Sequence, residues 1–190
     1  MTKVKVYTAN EQTIAIRILL LAFSSDPWKR YLMPDPSTYI KNSTLWFDNA
    51  VRQSIESKTL FGTKDKSGIA TWFKPNYELE FEEIEETFKE LPREHEKDIF
   101  QYFKEFEKNK PKDAWYLEYL GVDPARTSLG LGSFLLKHSL AEIDNLHQAA
   151  YLESSNPRNM SLYKRHGFET LTKIQFGEGP PMHTMYREAR

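Results

Sequence analysis

The sequence predicts an α/β fold, a sandwich of helices around a mixed β-sheet. Three observations predict it. Short runs rich in β-branched and aromatic residues alternate with longer segments whose apolar residues recur at helical spacing. The chain has 190 residues, 39% hydrophobic and 28% charged, which suits an ordinary core-forming protein of one domain's size. No internal repeat, low-complexity tract or interdomain linker interrupts it. The expectation is therefore one domain over 1–190.

Taken in order, Val4 opens a strand over 4–8. Residues 11–22 form a helix, with Ile14, Ile18 and Leu21 on one stripe and Asn10 placed to cap it. Residues 23–43 hold three prolines and the polar run Ser24, Ser25 and Asp26, and read as a long irregular link with one helical turn. Thr44 to Ser57 is helical, with Leu45, Val51 and Ile55 inward. Residues 60–63 and 69–73 are strands around the turn signal Lys64 to Gly68. Residues 78–91 and 94–108 read as two charged helices separated by Pro92, an acidic helical insert over about 78–110. A strand over 114–122, a helix over 132–145, a buried strand over 150–152 and a short helix over 161–166 follow. Strands over 168–176 and 182–187, joined through Gly177 to Pro181, close the pattern.

Charge and composition narrow the function. Lys and Arg total 26 against 27 Asp and Glu, a net charge of −1, so no overall field attracts nucleic acid or an anionic membrane. The longest apolar stretch, Ile14 to Phe23, contains Arg17 and falls well short of the roughly 18–20 residues of a membrane span. With no cleavage-site pattern after it, a cytoplasmic protein is expected. Cysteine is absent. That excludes disulfides, thiolate metal sites and an acyl-cysteine intermediate. The five histidines form no ligand-spaced cluster, so no metal is expected.

The segment Tyr119 to Ser133 carries the first chemical signal. Pro124 ends a strand, and Gly130 and Gly132 stand where the loop becomes an apolar helix. Glycines there let backbone amides approach a ligand, and the free N–H groups of a first helical turn favour an anion. A strand, a Gly-x-Gly loop and a helix make a pyrophosphate cradle, although such glycines also serve turn geometry alone. No Gly-Lys-Ser/Thr closes the loop, which excludes a nucleotide-hydrolase P-loop. The third glycine of the dinucleotide fingerprint is missing, which excludes a nicotinamide cofactor.

The second signal is Tyr151 to Phe168. With Val122, Asp123 and Pro124 followed by Gly130, Leu131 and Gly132, and then Asn156, Leu162, Tyr163, His166, Gly167 and Phe168, the chain resembles the GNAT superfamily of acetyl-CoA-dependent N-acetyltransferases. The resemblance is carried by residues 114–170. Within the superfamily it most resembles the puromycin-acetyltransferase-like small-molecule enzymes. It implies a mixed, mostly antiparallel central sheet of six or seven strands with helices on both faces. It implies acetyl-CoA as co-substrate and direct acetyl transfer in a ternary complex to a small-molecule amine. A protein lysine or N-terminus as acceptor, and a catalytically decayed coenzyme-binding module, are the alternatives. A monomer or homodimer is expected.

The resemblance also implies site residues. Leu120, Gly121 and Val122 offer backbone groups to the pantetheine arm. Arg126, Thr127, Ser128, Leu129, Gly130, Leu131, Gly132 and Ser133 form the phosphate loop. Thr127 stands where the family usually has Gln or Arg, Ser128 where glycine is common, and Leu129 where a basic residue is common; Arg126 is the neighbouring candidate for the missing charge. Asn156 and Asn159 contact the coenzyme. Tyr163 is the general acid that protonates the departing thiolate, and His166 is structural. Glu118 is the candidate base, since an alkylammonium must lose a proton before it attacks. Simple alternation puts Glu118 on one strand face with Leu120 and Val122, unless a bulge intervenes. Residues 78–90 carry seven carboxylates against one lysine and are expected to recruit a cationic acceptor.

Overall fold

The computed structural model describes residues 3–78, 82 and 84–190. Among the described residues, seven strands form one sheet: β1 (Val4–Val6), β2 (Leu60–Thr63), β3 (Gly68–Phe73), β4 (Ala114–Val122), β5 (Ala149–Ser154), β6 (Glu169–Ile174) and β7 (Met182–Arg187). Their spatial order is β1-β2-β3-β4-β5-β7-β6. Every neighbouring pair is antiparallel except β4 and β5, which are parallel. The mixed, mostly antiparallel sheet follows the expectation.

Seven α-helices among the described residues accompany it: α1 (Gln12–Ala22), α2 (Pro27–Leu32), α3 (Pro36–Glu56), α4 (Glu85–Phe88), α5 (Glu96–Asn109), α6 (Leu131–Asn145) and α7 (Met160–Arg165). Period-two alternation along the strands splits the core between the two sheet faces. Ala70, Trp72 and Leu117 pack with Leu135, Leu136 and Leu140 of α6. Ile69, Phe73 and Tyr119 pack with Ile18 and Leu19 of α1 and Phe47 of α3. A third cluster joins Trp28, Trp46, Ile84, Ile99, Tyr102 and Met182, and so fastens α2, α3 and the insert to the end of the sheet.

Three expectations need correction. Residues 23–43 are not an irregular link, because α2 lies within them and α3 starts eight residues earlier than periodicity suggests. The prolines begin these helices. Asp26 accepts the Lys29 N–H at 2.9 Å and Asp35 accepts the Thr38 N–H at 2.7 Å, with Pro27 and Pro36 each just after the cap. Proline at a first helical position costs nothing, since that N–H has no intrahelical partner. The helix expected over 78–91 is a single turn, Glu85–Phe88; Leu79, Glu80, Phe81 and Glu83 lie outside the described residues. Asn10 does not cap α1. The chain enters through a short 3₁₀ turn, where the Glu11 carboxylate accepts both the Thr8 N–H and its hydroxyl at 2.9 Å.

Candidate active site

The site is organised by β4. Its register against β3 slips between Thr71, opposite Tyr119, and Trp72, opposite Leu117, so Glu118 is the extra residue of a β-bulge. Leu117 packs toward α6, whereas both Glu118 and Tyr119 face the α1/α3 side. Leu120 and Val122 return to the α6 side, close to Gly132. Glu118 is therefore opposite Leu120 and Val122, and the bulge is the reason simple alternation fails. Gly121 faces α1: a Cβ there would stand 3.0 Å from Leu19 and 3.2 Å from Ala22.

The parallel pairing of β4 with β5 runs only from Ala114 to Leu117, opposite Ala149 to Leu152. Beyond it the strands part, β5 continuing against β7 through Glu153 and Ser154. The edge of β4 over 118–122 that faces this split has no ladder partner from β5. An extended ligand can pair with it as a strand would.

The loop after β4 leads into α6. The Asp123 N–H donates to the Ser67 carbonyl at 2.8 Å, and the Asp123 side chain accepts the Ala125 N–H at 2.9 Å. The Thr127 hydroxyl donates to the Pro124 carbonyl at 3.1 Å. Ser128 (φ 64°) and Gly130 (φ 76°) both adopt left-handed backbone, which turns the exposed loop onto the helix. Within α6 the Phe134 N–H bonds the Gly130 carbonyl at 2.9 Å, so the N–H groups just before it have no intrahelical partner. A Cβ on Gly130 would meet nothing within 4 Å. Open space over a free helix N-terminus fits a pyrophosphate.

Several polar side chains of this loop are engaged elsewhere. Arg126 donates to Asp65 of the β2–β3 turn at 3.0 Å, so it is an ion-paired residue and not a partnerless one. Leu129 is exposed, Leu131 is buried in the core, and the Ser133 hydroxyl lies 2.8 Å from His166 Nε2. What this loop offers an anion is backbone.

Asn156 caps its own turn, accepting the Arg158 N–H at 3.0 Å, while its carbonyl accepts from Ser154 and from the Asn159 N–H. The Asn159 side chain is exposed at the start of α7. Tyr163 is 7% exposed, with its ring near Phe168. Burial, and then the nearby Asp26 carboxylate, push its phenol above the usual range. His166 is half-buried beside Ser133; burial, then Arg165 and Arg187, lower it below the usual imidazole range. Its carbonyl accepts from Arg187, which also forks onto Asp144 at 2.7 and 2.8 Å.

A cavity of about 480 Å³ opens on the α1/α3 side of the split. Rings of Phe23, Trp28, Trp46, Phe88, Phe106 and Tyr119 wall it, and Asp26, Lys29, Glu118, Glu153 and Ser155 are its central polar groups. Ser155 donates to Asp26, which ties α2 to the end of β5. Of these groups sequence reasoning singled out Glu118 alone, and two of the others bear on the chemistry. Glu153 accepts the Tyr116 hydroxyl at 2.6 Å. Burial raises its carboxyl to about 7, the Tyr116 hydrogen bond opposing and the Glu118 charge adding to the shift. Its signal was a charge at the end of an apolar strand. Lys29 is 4% exposed, with Nζ 3.2 Å from the Tyr119 hydroxyl and 4.2 Å from the Trp46 ring centroid. Burial lowers its ammonium to about 8, against the opposing pull of Glu118 and Asp26. It sits in the stretch misread as a link, where nothing marked it.

The acidic segment contributes a wall. Ile84 and Phe88 line the cavity, while Glu86 pairs with Lys89 and Glu90 with Lys41. The described carboxylates that address the cavity are Asp26, Glu107, Glu118 and Glu153, and they outnumber Lys29 and Lys110. No group of three metal-ligating side chains occurs among the described residues, and none of the described helices is long and apolar enough to cross a membrane.

Comparison with known proteins follows the same geometry. The model of the acetyltransferase (GNAT) family matches residues 70–168, from β3 through α7. Among solved structures, the chain is similar to a histone acetyltransferase HPA2 and related acetyltransferase from Corynebacterium glutamicum, with TM-score 0.69, 22% identity, and 100% of this chain and 97% of that one covered. It is similar to arylalkylamine N-acetyltransferase 2 from Aedes aegypti, with TM-score 0.68, 14% identity, and coverage of 100% and 99%. A polyamine N-acetyltransferase from Drosophila melanogaster matches at TM-score 0.67 and 12% identity, with coverage of 99% and 100%. At these identities the structures speak for the fold, and the family match for the chemistry. The chain belongs to the GNAT acetyltransferase family and is an acetyl-CoA-dependent acyltransferase.

Proposed function

We propose that this enzyme moves the acetyl group of acetyl-CoA directly to a primary amine of a small molecule with an apolar, aromatic body. The observation that carries the reading is the aromatic cavity with convergent carboxylates at the β4–β5 split. Enclosing rings suit a flat or apolar body, and carboxylates among them suit the ammonium it carries. The structural neighbours named for arylalkylamines and polyamines are consistent with it. In the puromycin-acetyltransferase-like version of this reading, the acceptor is an amine on a larger aromatic scaffold.

The chain acts as one acetyltransferase domain whose insert walls the acceptor side. The pyrophosphate lies on the N–H groups before Phe134, held by backbone because Arg126 and Ser133 are engaged elsewhere. Leu120, Gly121 and Val122 pair with the pantetheine arm along the open edge of β4. That places the thioester between Glu118, which receives the acceptor ammonium, and Tyr163, whose phenol protonates the departing thiolate. A raised phenol pKa keeps that proton in place until a strong base, the thiolate, develops. With no cysteine in the chain, no acyl-cysteine stage precedes transfer.

The test is kcat/KM across amines that share an ammonium but differ in the attached body. Arylalkylamines should exceed short hydrophilic amines by at least tenfold, since each buried methylene contributes about 0.8 kcal/mol. Equal values across the series would remove the cavity from the acceptor site.

A further inference from the structure

Two carboxylates face this cavity from neighbouring strands, and they are held differently. Glu118 projects from the bulge of β4, just past the last residue paired with β5. Glu153 follows Leu152, the last residue of β5 paired with β4, and so stands across the split from Glu118. Its carboxylate is clamped by the Tyr116 hydroxyl at 2.6 Å. Tyr116 is itself fixed, with its ring against Phe73 and Tyr151 and the Lys110 ammonium 4.1 Å from its centroid.

We propose, on the reading that the cavity binds an amine acceptor, that Glu153 is the base that takes the proton from the bound ammonium, with Tyr116 as its positioning residue and Glu118 as the carboxylate that holds the ammonium. In the step, an N–H bond breaks and an O–H bond forms on Glu153, leaving the electron pair on nitrogen. That pair forms the C–N bond, and the C–S bond breaks as the tetrahedral adduct collapses. Tyr163 gives its proton to sulfur and recovers one from the nitrogen of the new amide. Glu153 then releases its proton to water. Two N–H bonds of the ammonium are lost; one proton ends on the thiol and one in solvent.

The surroundings of Glu153 suit this role. From β4 it faces Tyr116 and Glu118, from its own strand Tyr151, and from β7 Thr184. Lys110, after α5, acts on it, and Glu107, Lys29 and Asp26 share the cavity. Burial brings its carboxyl to about 7, which is where a general base works best at neutral pH. A carboxylate serving only to bind a cation gains nothing from that shift.

The experiment is the pH dependence of kcat/KM for an arylalkylamine in wild type, Glu153→Gln, Glu118→Gln and Tyr116→Phe, with thermal unfolding in acetyl-CoA as the check on folding. Wild type should show an acidic limb centred near 7. Glu153→Gln should lose that limb and fall by roughly 10²–10⁴-fold. Tyr116→Phe should move the limb to higher pH, because the hydrogen bond it removes favours the ionised carboxylate. Glu118→Gln should raise the acceptor KM and retain the limb at lower pH, because the Glu118 charge adds to the upward shift of Glu153. The second measurement needs no variant: the carbon-13 shift of the Glu153 carboxyl in labelled wild type should titrate with the kinetic limb. A limb that survives in Glu153→Gln, or a Glu153 midpoint near 4.5, would overturn the proposal while leaving the acceptor site intact. Absence of acetyl transfer to any amine by wild type would instead overturn the reading beneath it.

Discussion

Replacing Gly130 with Asp separates the cradle from the fold, because the substitution leaves the free protein nearly unchanged and repels the coenzyme. In the free protein the cost is local. Gly130 has φ 76° and its Cβ would meet nothing within 4 Å, so the change brings backbone strain of about 1 kcal/mol and no clash. A carboxylate at the head of α6 interacts favourably with the helix dipole, by about 0.3–1 kcal/mol. The free variant should therefore melt within about 4 °C of wild type. Acetyl-CoA at about one hundred times its Kd adds about 2.7 kcal/mol to wild type, a rise of roughly 5–11 °C. In the variant the carboxylate occupies the space open to the pyrophosphate. One like-charge pair about 4 Å apart near a protein surface costs about 4 kcal/mol, enough to remove the rise. Gly130→Ala, strained but uncharged, should keep part of it. Thermal unfolding with and without acetyl-CoA reads all three proteins. A full rise in a folded Gly130→Asp would place the coenzyme elsewhere and refute the cradle.

Two further predictions concern Tyr163 and Lys29. Tyr163→Phe should lower kcat by roughly 10²–10⁴-fold and leave acetyl-CoA binding unchanged, as measured by single-turnover kinetics and calorimetry; unchanged chemistry would make Tyr163 a packing residue. Lys29→Met should flatten the stability profile above pH 8. The folded ammonium titrates near 8 and the unfolded one near 10.5, so wild type gains stability as pH rises between those values, by up to about 3 kcal/mol. Denaturant melts at pH 7 to 10 give the slope for both proteins, and parallel slopes would mean that Lys29 is not desolvated.

What the sequence made legible was local. Strand and helix alternation, Gly130 in its loop, and the spacing of Asn156 to Phe168 each lie within one stretch of chain; periodicity and turn chemistry identify the first two, and family resemblance the third. The cavity is not local. Asp26 meets Ser155 and Lys29 meets Tyr119 only because α2 is laid across the β4–β5 split, and Tyr116 meets Glu153 only because β4 and β5 lie side by side. Arg126 showed the same limit, since its partner is Asp65 on a distant turn. The prolines at 27 and 36 were misread because proline ends helices and also begins them; the aspartate before each was the distinguishing sign. The bulge at Glu118 shifts the alternation of every residue after it, and nothing in the order of residues there announces it.

The central claim is that the acetyl group passes from coenzyme to an amine held in the aromatic cavity. Its most direct measurement uses acetyl-CoA labelled in the acetyl group, with an arylalkylamine as acceptor. Labelled amide and free thiol are counted in the same reaction. One amide nitrogen should be acetylated for each thiol released, with no release above the enzyme-free rate when the amine is withheld. Thiol released without labelled amide, or no amine in the series acetylated at all, would contradict it.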